Sequence, residues 1–370
     1  MKYLVSGGHI TPAVAFIKIA QHEGDEVVVV GREYTKTQAS TYSNEEATAQ
    51  DLGCRFIPLS SVKYDRYNKL SSMLSLWKLL FTTITAIRLV KAEKPDCIIS
   101  FGSFVGLPLC LAGYFTKIPV VIHEQTAAAG LANQIVGKFA ARIALSYESS
   151  YKYFSKKKSV VTGNLIREEI WSEQPRPQWL TPRLTKPLLL ITGGSQGSHV
   201  INQVVLMVIE TLLEDFTVVL QTGNSQAFAD FDKAINRREQ LPPKLRHHLY
   251  VKNMLSAHEF GFLLQHATLV LSRSGGNTVS EIMSCGVPAV LVPLFGSQNS
   301  EQEKNARFIT DKKAGIMLKQ IDFTPQSLLS AVMTIYKHLD TYTKRAKKLT
   351  AITNPNSAKH FYALVKSLLE

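Results

Sequence analysis

Cysteine is scarce in this chain. Cys54, Cys97, Cys110 and Cys285 are scattered without a CxxC pair, which argues against a disulfide framework or a zinc site and for reduced thiols. No run reaches the roughly 18 to 20 uncharged apolar residues of a membrane span. The apolar opening MKYLV is too short for a signal peptide and runs straight into SGGH. The cytoplasm is therefore the expected compartment. Neither the GK[ST] ending of a P-loop nor a GxGxxG is present, which argues against an NAD(P)-dependent oxidoreductase. No zinc finger or RNP-type aromatic strand is found, so nucleic acid is not an expected partner.

Acidic residues are in deficit: 29 Asp+Glu face 42 Lys+Arg, a formal net charge of +13. Such a balance favours an anionic partner, here a phosphorylated substrate or an acidic membrane, with a solvated basic surface as the plain alternative.

What the chain does have is strands alternating with helices. YLV (3–5), EVVVVG (26–31), CRFIPL (54–59), DCIISFG (96–102), PVVIHEQ (119–125) and RIALSY (142–147) are short apolar runs of the kind buried on both faces of a parallel sheet. The proline-bearing WSEQPRPQWLTPRLTKP (171–187) has no period and reads as a linker. The pattern then restarts with LLLITGG (188–194), FTVVLQTG (216–223), HLYVKNM (248–254), ATLVLSRSGG (267–276) and PAVLVPL (288–294). The expectation is α/β: a Rossmann-like domain over 1–165, a linker over 166–187, and a second over 188–353. A terminal helix in 354–370 is expected to pack back on the first domain.

In open parallel sheets, ligands sit beyond the carboxyl ends of the strands. The chemistry-bearing residues fall there. Ser6, Gly7, Gly8 and His9 follow the first strand; Pro12 suits the first turn of the helix that follows. His123, Glu124, Gln125 and Thr126 end another strand. TGGSQGS (192–198) joins a strand to a helix start, where glycines allow close approach and free amides favour a phosphate. A tight turn is the plain alternative. Arg273 and a glycine turn precede a helix bearing Thr278 and Glu281, a carboxylate suited to ribose hydroxyls or to capping the helix. Arg167, after a Gly-Asn turn, could hold a diphosphate or bridge a hinge. Glu301, Gln302 and Asn305 cluster at a further helix start, where they could read sugar hydroxyls.

SGGHITPA, HEQT, GNLIR, GGSQGS, RSGGNTVSE and QEKNA occur in this order over most of the chain. Together they resemble the MurG family, the glycosyltransferases that complete lipid II in peptidoglycan synthesis. The resemblance implies a GT-B fold, two Rossmann-like domains facing across a cleft. It implies inverting transfer of N-acetylglucosamine from UDP-GlcNAc to lipid I, the undecaprenyl-diphosphate-linked muramyl-pentapeptide. By that resemblance Ser195, Gln196 and Arg167 would lie at the diphosphate and the Val251 backbone near uracil. Arg273, Gly276, Asn277 and Thr278 would line the nucleotide-sugar, Glu281 would hold ribose, and Gln302 the sugar. Ser6, Gly7, Gly8 and Thr126 would face it from the first domain. His9 is the candidate general base, with Glu124 its rival. Amide dipoles and Arg167 would stabilise the leaving diphosphate. No acidic pair is read as a metal holder, so no cofactor and no metal are expected.

The chain departs from the family pattern. Its opening loop is shorter, HEQN has become HEQT, GNP.R has become GNLIR, and Glu301 adds a negative charge. A lipid-borne acceptor also needs a membrane-facing surface on the inner leaflet. In 69–94, Leu70, Met73, Leu74, Trp77, Leu80, Phe81, Ile84 and Ile87 recur at helical spacing, with Lys63, Arg66, Lys69 and Lys78 nearby. One side is expected on the sheet and Met73, Trp77 and Leu80 at an exposed edge; an ordinary core helix is the alternative. Other readings are a glycolipid transferase, a UDP-GlcNAc 2-epimerase, or a non-catalytic nucleotide-sugar binding protein.

Overall fold

The structure is a computed structural model. It describes residues 1–8, 10–32, 44–59, 69–102, 104, 106–180, 184–194, 196–224, 228–297 and 300–370, without the side chains of 44 and 69–76. The chain forms two compact units, one made of Met1–Arg167 with Asn354–Glu370 and the other of Glu168–Thr353.

The first unit is built on β1 (Lys2–Ser6), β2 (Glu26–Gly31), β3 (Arg55–Pro58), β4 (Cys97–Ser100), β5 (Val120–Glu124), β6 (Arg142–Leu145) and β7 (Ser159–Val161). They lie in the order 3-2-1-4-5-6-7, all parallel. The crossovers carry α1 (Ile10–His22), α2 (Asn44–Asp51), α3 (Lys69–Glu93), α4 (Gly106–Thr116) and α5 (Leu131–Gly137). Side chains alternate across a strand. Tyr3 and Val5 therefore join one core with Phe16, Ile17, Ile99 and Phe101, and Leu4 joins the other with Val28, Ile98, Leu109 and Ile122. Both faces are covered, which is why the central strands carry no polar alternation.

The last helix of the chain, α15 (Ser357–Lys366), belongs to this unit. Phe361 is fully buried, its ring 5.6 Å from those of Phe16, Phe101 and His123. The Tyr362 hydroxyl donates to Asp25 Oδ2 at 2.7 Å and the Ser357 hydroxyl to the Asn164 carbonyl at 2.6 Å.

The second unit repeats the plan. Its strands are β8 (Leu188–Thr192), β9 (Thr217–Gln221), β10 (Leu249–Lys252), β11 (Leu269–Ser272), β12 (Ala289–Leu291) and β13 (Gly315–Met317), parallel in the order 10-9-8-11-12-13. Its helices are α6 (His199–Met207), α7 (Ile209–Asp215), α8 (Asp230–Glu239), α9 (Pro243–Arg246), α10 (Ala257–His266), α11 (Gly276–Cys285), α12 (Glu301–Thr310), α13 (Pro325–Lys337) and α14 (Leu339–Leu349).

The segment expected as a linker over 166–187 is instead part of the second unit from Glu168 onward. It is held by side chains of α10. The Gln265 amide donates to the carbonyls of Ile170 at 3.1 Å and Ser172 at 2.8 Å. Gly261 lies so close to the Glu169 carbonyl that a Cβ would overlap it. The Trp179 indole donates to Glu259, and its ring carries the Lys252 ammonium 4.5 Å from the centroid. Prolines gave this stretch no helical or strand period, but its carbonyls and rings are fastened to a neighbouring helix.

Because Phe361 fills the centre of a three-ring cluster, Phe361→Ala is expected to destabilise the first unit by about 3–5 kcal/mol. Hydrogen exchange at the β1 and β4 amides should speed up accordingly, with β8 and β11 unchanged.

Candidate functional site

Each sheet reverses its strand order at one place, β1/β4 in the first unit and β8/β11 in the second. Neighbouring loops diverge there and leave a crevice at the carboxyl edge. The glycine turns expected from the sequence fall at these two points.

In the first unit the Gly7 amide donates to the Val30 carbonyl at 2.7 Å. The Ser6 hydroxyl donates to Ser100 Oγ at 2.9 Å, and both hydroxyls lie where a Cβ on Gly106 would stand. The Ser6 side chain is fully buried and supports the turn from beneath. Gly8 follows with a positive φ of 135°. His9 lies outside the described residues.

The HEQT stretch at the end of β5 is built inward. Glu124 Oε1 accepts from the Thr126 amide at 3.0 Å and the Thr126 hydroxyl at 2.7 Å. Its Oε2 accepts from the Gly130 amide at 3.1 Å and the Asn133 side-chain amide at 2.9 Å. Burial raises the carboxyl above its usual range, against the pull of these donors. Four donors on a buried carboxylate leave no lone pair facing a substrate, so Glu124 is a poor rival to His9 as base. Thr126 is also buried, its hydroxyl engaged by Glu124 and the Ala128 carbonyl. His123 Nε2 lies 3.1 Å from the Gly163 carbonyl, which ties β5 to the turn that leads to Arg167. Arg167 is half-buried at the end of that turn.

In the second unit, Gly193 and Gly197, in the turn that follows β8, stand where only glycine fits. Gly197 and Gly223, with φ of 77° and 90°, press backbone to backbone, and a Cβ on either would overlap the other strand-end turn. The Gly194 amide donates to Thr192 Oγ1 at 3.0 Å, and Gly197 closes on Gly194 at 3.0 Å. Ser198 caps α6, and its hydroxyl accepts from the Ile201 amide at 3.4 Å. The turn therefore ends at the amino end of a helix, which favours an anion. Gln196 is exposed on it; Ser195 lies outside the described residues.

A network that the sequence did not suggest holds this turn. The Asn202 amide donates to the Thr222 carbonyl at 3.0 Å and to Asp230 Oδ2 at 2.9 Å. His199 Nδ1 is 2.7 Å from Asp230 Oδ1, and its ring stacks on Phe228 at 3.9 Å. Asp230 and Asp232 do form a DxD pair in the sequence, contrary to the expectation that none need be counted. Asp230 is buried in this network and Asp232 is exposed, so the two do not converge.

Beside it, Gly275 opens α11, with Gly276 buried and Asn277 and Thr278 half-buried in its first turn. Glu281 lies a turn further on, buried; burial, and to a lesser extent Glu281, pushes the Cys285 thiol up to about 12. Arg273 departs from expectation. Its guanidinium donates to the carbonyls of Val292 at 3.1 Å and Pro293 at 3.3 Å, and burial lowers its pKa. It clasps the loop after β12. Asn305 donates to the Ser274 carbonyl at 3.2 Å, and Gln302 Oε1 accepts from the Leu294 amide at 2.9 Å. Val251 stands in β10, the edge strand of this sheet.

The expected membrane helix packs one side on the core, with Leu79, Ile87 and Leu89 against it, and turns other large apolar side chains outward. Along α3, Thr82, Thr83, Ala86 and Val90 are buried. Trp77, Leu80, Phe81 and Ile84 are 61%, 51%, 66% and 40% exposed. Phe81 and Ile84 thus join the exposed edge. Lys78 is exposed among them; the side chains of Lys69 and Met73 lie outside the described residues, as do Lys63 and Arg66. At the end of α4, Tyr114 and Phe115 are exposed as a ring pair 5.6 Å apart. The cations Lys117, Lys138, Arg142, Lys156, Lys157 and Lys158 belong to the same unit. The KKK run and the Tyr-Phe pair were legible in the sequence, but nothing there linked them.

Comparison with known proteins bears on these sites. Residues 6–145 match the model of the glycosyltransferase family 28 N-terminal domain and residues 188–363 that of its C-terminal domain. A Lachnospira eligens protein named UDP-N-acetylglucosamine--N-acetylmuramyl-(pentapeptide) pyrophosphoryl-undecaprenol N-acetylglucosamine transferase is 30% identical, over 90% of this chain and 88% of its own. A protein of the same name from Clostridium botulinum (strain Loch Maree / Type A3) is 28% identical over 98% and 96%. The crystal structure of Acinetobacter baumannii MurG superposes with a TM-score of 0.70 at 25% identity, covering 99% of this chain and 100% of that one. A putative UDP-N-acetylglucosamine 2-epimerase from Listeria monocytogenes reaches 0.73 at 13% identity, over 100% and 96%, a likeness of fold alone.

Glu124→Gln separates a supporting from a catalytic carboxyl. It places an amide against two donors and should cost about 1–3 kcal/mol of stability, read as a lower Tm. The activity per folded molecule should keep its pH profile; a lost acid limb would reinstate Glu124 as the base.

Proposed function

This chain belongs to glycosyltransferase family 28, and from that premise we propose that it transfers N-acetylglucosamine from UDP-GlcNAc to lipid I, forming lipid II and releasing UDP. One observation carries the reading. All six motif segments lie at carboxyl strand ends or the helix starts that follow, three of them at the switch points of their own sheets. A family-28 chain that had kept only its fold would have no need to keep those.

The second unit carries the groups suited to the donor. The amides of the Thr192–Ser198 turn and the amino end of α6 suit a diphosphate, whose charge grows as UDP departs; fixed dipoles stabilise such charge without reorganising. Arg167 is a further cation for it. Glu281 suits the ribose hydroxyls, the Val251 backbone the uracil, and Gln302, Asn277 and Thr278 the sugar. His9 is the base that takes the proton from the acceptor hydroxyl as it attacks the anomeric carbon. In this reading charge stabilisation comes from amides and arginine, and no metal is used.

A lipid-borne acceptor also accounts for the large apolar side chains that α3 turns outward. With Lys78 exposed among them they suit the interface of an anionic leaflet, on the inner face of the membrane. The 2-epimerase reading draws on fold likeness alone and leaves this surface unused.

Incubation with UDP-GlcNAc and a lipid I analogue should release UDP and form the disaccharide product, with EDTA leaving the rate unchanged. Epimerised UDP-sugar without acceptor, or a rate abolished by EDTA and restored by magnesium, would contradict the corresponding part of the proposal. His9→Ala should remove the fall in kcat on acidification, because protonation of the imidazole is what silences the base. Trp77→Glu with Phe81→Glu should weaken binding to anionic vesicles while UDP-GlcNAc affinity holds; unchanged vesicle binding would remove α3 from the membrane contact.

A further inference from the structure

The second unit carries a cationic surface that donor chemistry does not use. Helix α14 buries Ala346 and Leu349 and turns Lys344, Lys347 and Lys348 outward at helical spacings of three and four. Arg345 donates to the Lys313 carbonyl at 3.4 Å, which brings the 311–313 turn beside the helix and adds exposed Lys312 and Lys313. None of these lysines forms an ion pair among the described residues. Just past the helix, Ile352 is half exposed.

Cations in a last helical turn are favoured by the helix dipole, which accounts for Lys347 and Lys348 on α14. It does not account for Lys344 one turn earlier, which sits at i,i+3 and i,i+4 from them and is repelled by both, with Asp340 four residues before it offsetting only part of that repulsion. Asp311 and Asp340 stand exposed on the same two elements but are outnumbered by the five lysines, and such a surplus of positive charge is relieved by an anionic counterpart. We propose that this face of α14 and the 311–313 turn form an electrostatic contact with an anionic lipid surface, separate from the apolar patch on α3. The choice of lipid rests on the lipid-borne acceptor proposed above. Lysine also favours it, because protein interfaces deplete lysine, whereas hydrated ammonium groups at a headgroup layer each add attraction without desolvation. No exposed aromatic ring interleaves these lysines as stacking on nucleobases would require.

The test uses the full chain with neither donor nor acceptor, sedimented with phosphatidylcholine vesicles with and without phosphatidylglycerol. K344E/K347E/K348E should lower the partition onto anionic vesicles at least about tenfold, while UDP-GlcNAc affinity stays as in the wild type. Added salt should erase the difference. K312E/K313E should act in the same direction. Wild-type partition in the triple variant, an equal loss on neutral vesicles, or tighter binding to single-stranded RNA than to anionic vesicles at equal salt would overturn the proposal. Transfer to a water-soluble acceptor analogue, measured separately, tests the glycosyltransferase reading, so the two can fail independently.

Discussion

A parallel strand can deliver its functional loop to only one edge of the sheet, and this constraint organises both units. Every strand pairing among the described residues is parallel, so every strand-to-helix turn between them leaves at the carboxyl edge. Close backbone approach at that edge then decides which residues stand there. Gly197 against Gly223 is the tightest instance: with a Cβ on either, the β8 and β9 turns could not meet, and the amino end of α6 would be displaced from the switch point.

Much of what looked like ligand chemistry in the sequence works one layer below. Glu124 and Thr126 bond each other's turn, Ser6 bonds Ser100, Arg273 clasps the loop after β12, and Asn305 holds the turn before α11. A ligand held by backbone amides needs those amides fixed, and buried side chains with several hydrogen bonds supply that rigidity. The polar residues of a motif therefore divide between groups that face the ligand and groups that hold the backbone that does.

The same division governs the surface. In α3 the core takes threonine, alanine and valine while tryptophan and phenylalanine face outward. Periodicity places these side chains on a helix face but does not say which face meets the sheet. On α14 the buried stripe is conventional, and it is the exposed lysines opposite that stand out.

Composition, apolar runs and motif order determined from the sequence the α/β class, the two parallel sheets, eleven of their strands and the chemistry of the strand ends, because a strand buried on both faces writes its burial directly into its residues. The two strands left out, β7 and β13, are three-residue sheet edges, too short to carry a pattern. Only the tertiary structure decided that the proline-bearing segment belongs to the second unit, that Glu124 is consumed by its own turn, and which side of α3 is outside. Each of these depends on a partner distant in sequence or on the space left by a neighbour, and neither quantity is local to the residues concerned.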